Sequence, residues 1–540
     1  MSHPRRVAAL LAATLLAVAL PAGAETAFLG KKSGAWLREL ADPKPEVRRG
    51  AAFALGKCGA AGAVPLLVRA LDDADPRVRD AAAYAVGEIA AERNDPALWR
   101  KAGAALRKML AEEKDPKAQR SAACAIGQFG PDAAEAREGL EKTLDHKDAA
   151  VRQNAAWALG RLKEKAGASG VNRLSAALRD ADPVVRRDAA AALAEVGRPT
   201  AAPALRPLIE CLAHEKEAVV RLVAVGSLVA LAGPEDKEVA GDLRGLLAEK
   251  DREVKRGAAL ALAKIGGTEA KAALPVLLDA LGDDDATARE LAAAALAQLG
   301  EAAAEAVPAL GKALSDRSPE VRRNAALALT RVGPRAGEVV RPLVHALDVR
   351  EPAKVRQFAA EALGHTRGDA AELVVPELLP FIKNDRDSEV RQRLVCTVAF
   401  TRGFEGSEGA KVLEKVLHET DRDNRLVRYN TALVLAFVLQ DRAPGKAVDV
   451  LVEMLDDTML LEYRGTDATL KKGDESVKGG TGAKENLGGD ARYMAAQALA
   501  DIARSGKRQD ARDALRTAAE SKDEVKKKVA KDALKAIGLP

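Results

Sequence analysis

One ten-residue pattern recurs along the chain, and its near-constant spacing constrains the fold more than any other feature. VRRGAAFALG at 47–56 returns as VRQNAAWALG at 151–160 and as VRRNAALAL at 321–329. With the basic residue as anchor, the copies fall at Arg48, Arg79, Gln119, Arg152, Arg186, Arg221, Lys255, Arg289, Arg322, Arg356, Arg391, Arg428, Arg492 and Lys527. Nine of the thirteen intervals are 33–35 residues and one is 64, so a unit of about 34 residues repeats some fourteen times with one insertion. A fixed period of this length is the signature of a stacked-repeat architecture rather than of separate globular domains.

Each unit reads as two helices. The second opens with a capping oxygen before a proline, as in Asp75-Pro76, Asp115-Pro116, Asp182-Pro183 and Ser318-Pro319. The oxygen accepts an orphan N–H of the first turn, where the missing N–H of proline costs nothing. Apolar residues at −1, +3, +7 and +10 from the anchor follow the helical period and predict one buried stripe. Alanines at +3, +4 and +6 predict close approach of neighbouring helices. The first helix is shorter and often starts near a proline (Pro65, Pro203, Pro275, Pro308, Pro342, Pro376), and Asp-rich joints such as Asp72-Asp73 and Asp283-Asp284-Asp285 connect the pair. A lone pair of this size cannot bury enough surface to stand alone, so the units must stack. The predicted fold is an all-α solenoid of about fourteen helix pairs.

The motif Asp-Pro-x-Val-Arg-x-x-Ala-Ala-x-Ala-Leu-Gly resembles the HEAT repeat, specifically the short HEAT-like class named after phycobilisome lyases. The tetratricopeptide and ankyrin signatures are absent. The resemblance covers essentially all of 35–540. It implies a ladder between repeats made by the joint aspartate and the anchor arginine, for which Asp72 with Arg79 and Asp180 with Arg186 match the pattern. The anchor arginines are thereby read as structural.

Residues 1–24 read as a signal peptide: Arg5 and Arg6, an apolar run from Val7 to Leu20, and the small residues Ala22-Gly23-Ala24. This predicts an exported chain, periplasmic or secreted, with no membrane span after cleavage. The net charge of +5 falls to +3 without Arg5 and Arg6, which gives no electrostatic support for nucleic-acid binding. A charged fraction of 30% excludes a polytopic membrane protein, and 48% hydrophobic residues exclude wholesale disorder. The predicted organisation is 25–457 for repeats 1–12, a Gly/Lys-rich insertion at 458–489, and 490–540 for the last two repeats and a C-terminal cap.

No constellation of residues in the chain matches a known catalytic pattern. The deoxyhypusine hydroxylase branch of HEAT-like proteins places His-Glu pairs directly after the anchor, whereas here the pairs are Arg49-Gly50, Asp80-Ala81, Gln153-Asn154, Arg187-Asp188 and Arg323-Asn324. His214-Glu215 and His418-Glu419 fall at joints, six repeats apart. The cytosolic setting of the bilin lyase branch does not suit an exported chain. No metal-ligand spacing, nucleophile elbow or phosphate loop occurs, and the four cysteines lie in different repeats without a CxxC. The expectation is a non-enzyme without cofactor or metal; a hydroxylase or lyase relative with a lost or altered site is the third-ranked reading.

Function then belongs on a surface. Positions +1, +5 and +9 point away from the buried stripe, toward the concave side that the HEAT resemblance implies. Eight of the fifteen aromatics fall on this outward side: Phe53, Tyr84 and Trp157 at +5, Tyr429 and Tyr493 at +1, Phe358 at +2, and Phe400 and Phe437 at +9. Arg49, Arg120, Arg187, Arg256 and Arg323 add a cationic row at +1, and Asn154, Asn324 and Asn430 at +2 offer hydrogen bonds to an extended peptide. One reading is a groove that holds a protein segment of some acidic character, since aromatics and arginine favour interfaces. The other is lateral packing between adjacent second helices, with the arginines solvated. An envelope polysaccharide stacked on the aromatics is the alternative ligand.

Overall fold

The computed structural model describes residues 27–366, 374–399, 408–418, 425–457, 462–463, 470–471 and 491–539. The predicted signal peptide lies outside them. So does the predicted insertion at 458–489, apart from a two-residue antiparallel pairing of Glu462–Tyr463 with Leu470–Lys471.

Every anchor sits on a helix. Residues up to Ala258 and from Ala259 onward form two compact units. The first holds second helices Pro45–Lys57, Pro76–Arg93, Pro116–Gln128, Ala149–Arg161, Pro183–Val196 and Ala218–Leu231, and Arg252–Ile265 carries the seventh anchor. The second holds Ala286–Leu299, Pro319–Val332, Ala353–His365, Ser388–Ala399, Arg425–Leu439, Ala491–Ala503 and Glu524–Ala536. A first helix precedes each of them, so fourteen pairs are present among the described residues and the fold is an all-α solenoid. Most first helices are short, such as Val64–Ala70 and Val307–Ala313, and many are entered through a 3-10 turn. The long interval between Arg79 and Gln119 reflects an 18-residue second helix followed by the 17-residue Pro96–Glu112.

Local signals explain the helix starts. Asp75, Asp115 and Asp182 accept backbone N–H groups of their own first turns, as expected, and Asp148, Asp285 and Asp523 do the same without a proline. Ser318 does not cap: its hydroxyl donates to Glu320 and its N–H donates to Asp316. The buried stripe follows the expected period. Val78, Ala82, Val86 and Ile89 are all buried, as are Val151, Ala155, Leu159 and Leu162.

Close approach between second helices depends on a residue beside the alanines. A glycine at +8 faces the alanine at +6 of the next second helix in four successive repeats of the first unit. A methyl added at Gly56 would fall 2.7 Å from Ala85 Cα, at Gly87 3.0 Å from Ala125 Cα, at Gly127 3.0 Å from Ala158 Cα, and at Gly160 2.6 Å from Ala192 Cα.

The ladder exists, but its rungs join different partners from those the resemblance implied. Asp72 bonds Lys108, and the Arg79 guanidinium takes Glu113 at 2.5 and 2.8 Å. Asp180 pairs with Arg152 at 2.7 Å, and Arg186 pairs with Glu215 at 2.6 and 2.8 Å. Each of these arginine anchors therefore grips the acid of the following joint, about 30 residues ahead, and donates only Nη1 to a carbonyl of its own joint, whereas Gln119 donates its amide to Leu110 O. Arg79 donates in this way to Asp73 O and Arg186 to Asp180 O. Arg48–Asp73, Arg221–Asp251, Arg289–Asp316, Arg322–Glu351 and Arg356–Asp385 repeat the scheme. The reason is reach: an anchor on the first turn of its helix projects along the stack, while its own joint doubles back beside it. The acid also accepts the N–H two residues on, as Asp73 does from Asp75, so one carboxylate ties two repeats and starts a helix.

The guanidinium hydrogen bonds hold Asp73, Glu113, Glu215 and Asp316 below the ordinary carboxylate range, against partial burial that pushes them up. Because their pKa values are lower folded than unfolded, the stability they contribute is complete above the unfolded value near 4 and is lost as pH falls further. Helicity and thermal midpoint are expected to hold from pH 7 to about 5 and to decline below about pH 4. An unchanged midpoint at pH 2.5 in a circular dichroism titration would contradict this.

Candidate interaction surface

The outward side of the second helices is not uniform. In repeats 1 and 2, Phe53 and Tyr84 stack with ring centroids 5.6 Å apart and planes 12° apart, and Phe28 meets Phe53 edge-on at 6.1 Å. Phe53 remains 42% exposed. Lys57 sits 5.0 Å from the Tyr84 centroid and is held there by Glu88 at 2.6 Å. These contacts run between helices, so the stack both packs laterally and presents an aromatic face.

An open cleft of about 500 Å³ lies along this face, lined by Arg49, Gly50, Phe53, Asp80, Tyr84, Arg120 and Ser121 among others. A smaller one sharing Tyr84, Arg120 and Ser121 continues it toward Cys124 and Asn154. Its acids are engaged. Ser121 donates its hydroxyl to Asp80, Glu88 holds Lys57, and Glu46 lies 3.6 Å from Arg77. Arg49 and Arg120 are exposed and make no ion pair or hydrogen bond to side chains among the described residues.

The other expected site residues do not join this cleft. The Trp157 indole packs over Gly127, where a methyl would fall 2.3 Å from the ring, and Arg161 lies 5.9 Å from its centroid, so Trp157 is lateral packing. Asn154 lines the extension but donates its amide to Ala150 O of its own helix. Arg187 is bound to Asp188 at 2.6 Å, Arg256 to Glu253 at 3.0 Å, and Arg323 donates to Asn324 Oδ1 at 3.3 Å. The expected row of free arginines is thus reduced to Arg49 and Arg120.

Within the second unit, three expectations of exposure give way to burial. Tyr429 is 2% exposed and donates its hydroxyl to Asp457 at 3.1 Å; burial pushes its phenol well above the ordinary range. Asn324 donates to Glu290 O and Asn430 to Gln392 Oε1, which makes both of them ties between neighbouring second helices. Phe437 is 68% exposed, as expected, and Phe400 lies outside the described residues.

Sequence reasoning did not single out Phe28, Lys57 or the small residues Gly50 and Ser121 as parts of the surface. The +1/+2 register that gave Arg49 and Asn154 also contains the last two. Glu215 of the His214-Glu215 dipeptide is the ladder acid of Arg186, and no set of three or more His, Cys, Asp or Glu placed to hold a metal occurs among the described residues. Cys58 and Cys211 are buried, and Cys124 and Cys396 are half-buried. Burial raises the Cys211 thiol to about 11, which keeps it protonated and unreactive near neutral pH. No described helix is long and apolar enough to cross a membrane.

Three solved or built structures are similar to the chain. An engineered protein of known crystal structure is 24% identical, covering 75% of this chain and 98% of its own, with a TM-score of 0.45. A homology model of the full-length AP-3 complex in an intermediate open conformation is 11% identical over 92% and 95%, with a TM-score of 0.49. Importin beta, crystallised in an ammonium sulfate condition, is 15% identical over 94% and 67%, with a TM-score of 0.40. A comparison with curated protein sequences gives no match. The model of HEAT repeats matches six overlapping stretches, 34–102, 103–171, 167–229, 206–297, 274–364 and 307–398. With two thirds of its length matched in this way, and with an anchor on a second helix in every pair, the chain belongs to the HEAT-repeat family.

Proposed function

We propose that the chain is an exported, non-catalytic scaffold that binds protein partners along the outward side of its second helices. A HEAT-repeat solenoid is commonly a protein-interaction scaffold, and the leader-like residues 1–24 support export to the periplasm or the medium. The observation that carries the reading is the Phe53–Tyr84 stack, half-exposed beside Arg49 and Arg120 in an open cleft. Aromatic and arginine side chains that are costly to leave exposed are what interfaces use as anchors.

The test is affinity capture from envelope extract with the full chain beside a Phe53→Ala, Tyr84→Ala variant of equal helicity. A protein retained by the first and lost by the second supports the scaffold. Retention by both would overturn the assignment to this cleft, and retention of polysaccharide alone would replace protein with a sugar polymer. Trp157→Ala serves as the contrast: it is expected to lower stability by about 1–3 kcal/mol, because the indole is half-buried, without selective loss of capture.

A further inference from the structure

The charges in the Phe53–Tyr84 cleft are sorted in a way that specifies what it takes. Its carboxylates already have partners: Asp80 accepts the Ser121 hydroxyl, Glu88 is tied to Lys57, and Glu46 faces Arg77. Its two guanidiniums, Arg49 on helix Pro45–Lys57 and Arg120 on helix Pro116–Gln128, have none among the described residues. An arginine fork left open in a cleft is matched best by a carboxylate, which it can bind through two parallel N–H bonds. Small residues, Gly50, Ala81 and Ser121, make up part of the floor beside Asp80. At Gly50 an added methyl would meet nothing within 4 Å, so a chain can approach the helix backbone closely there. Beside that floor lies the aromatic face.

We propose that this cleft binds an extended acidic peptide segment. Its carboxylates engage Arg49 and Arg120, its backbone passes over Gly50, and an aromatic side chain between the acids lies on the Phe53–Tyr84 stack. This rests on the reading that the outward surface binds protein. It goes further in fixing the class of segment and where it lies. The span suits such a segment. Arg49 and Arg120 belong to second helices two repeats apart, roughly 18–20 Å at ordinary helix spacing, a distance that about six extended residues cover. Acids three residues either side of an aromatic would reach both guanidiniums. A basic segment is the competing use of the same cleft: it would share Asp80 and Glu46 with Ser121 and Arg77 and would bring its cations beside Arg49 and Arg120.

Three labelled peptides test the proposal by fluorescence anisotropy with the full chain at low and moderate salt: Gly-Ser-Glu-Glu-Gly-Phe-Gly-Glu-Glu-Gly-Ser, its Glu-to-Lys counterpart, and its Phe-to-Ser counterpart. The acidic aromatic peptide is expected to bind at least about tenfold more tightly than either of the others, with affinity falling as salt rises. Arg49→Glu with Arg120→Glu is expected to lower that affinity by about tenfold or more. Gly50→Phe fills the floor where there is open space, so it is expected to block the peptide while leaving helicity and the thermal midpoint intact. Equal or tighter binding of the lysine peptide, or unchanged binding by Gly50→Phe, would overturn the proposal. If the acidic peptide fails while the Phe53→Ala, Tyr84→Ala variant still loses a captured protein, the scaffold stands and the class of segment is wrong. If neither effect is seen, both the class of segment and the assignment of binding to this cleft fall.

Discussion

Asp385→Ala is expected to be among the most damaging single substitutions in the second unit, with a loss of about 3–5 kcal/mol. Arg356 and Asp385 are 7% and 0% exposed at their side chains, a fully buried rung of the ladder, with both guanidinium bonds at 2.8–2.9 Å. Removing the acid leaves a cation out of water without its counter-charge, and it orphans the Asp387 N–H that Asp385 Oδ1 also accepts. A surface pair would be worth a fraction of this, since water and salt screen it. The double variant Arg356→Met, Asp385→Asn is expected to recover much of the loss, because it removes the charge and keeps an acceptor for Asp387. Stacked repeats need not unfold as one unit, so denaturant unfolding should be read together with hydrogen exchange on helices Ala353–His365 and Val375–Asn384. If Asp385→Ala exchanges there like the wild type, the rung contributes little.

Gly160→Val is expected to destabilise the first unit by about 2–3 kcal/mol, against the sign that helix propensity alone gives. Valine is the better helix former by a few tenths of a kcal/mol. Its Cβ would nevertheless stand 2.6 Å from Ala192 Cα and 2.7 Å from Ala192 Cβ, where only a shift of the neighbouring helix relieves the overlap. Backbone cannot rotate away as a flexible side chain can. Gly50→Ala is the control of opposite sign: it lies inside helix Pro45–Lys57 in open space and is expected to stabilise by about 0.5–1 kcal/mol. Thermal melts of both variants would decide the matter, and a stabilised Gly160→Val would mean that the second helices are not in contact at that glycine.

The two substitutions differ in how far the sequence announces them. Arg356 was found by its period, and a period in the acids was there to be found as well: Asp73, Glu113, Asp180, Glu215, Asp283, Asp316 and Asp385 each lie six residues before an anchor. Their recurrence marks them as structural without revealing that Asp73, Glu113, Asp180, Glu215, Asp316 and Asp385 serve the preceding anchor. Gly160 is visible only as part of an Ala-Leu-Gly ending, and its role follows from what lies opposite. The candidate surface divides in the same way. Arg49, Arg120, Phe53 and Tyr84 were legible from the outward register of the helix, and they do share a cleft. Trp157 holds the same +5 position as Phe53 and Tyr84, yet it is committed to Gly127. Tyr429 holds the same +1 position as Arg49, yet it is buried against Asp457.

By itself the sequence determined the family of architecture, the pairing of helices, their starts and the stripe each one buries. All of these depend on the 3.6-residue period and on capping chemistry within a single turn. Tertiary structure alone decided which acid each arginine takes, which outward aromatics are open, and which arginines remain free. Those depend on the stagger and crossing of neighbouring helices, where a shift of a few ångströms or some tens of degrees moves a side chain from the outward face to the flank, and the period of one helix carries no record of where the next one lies.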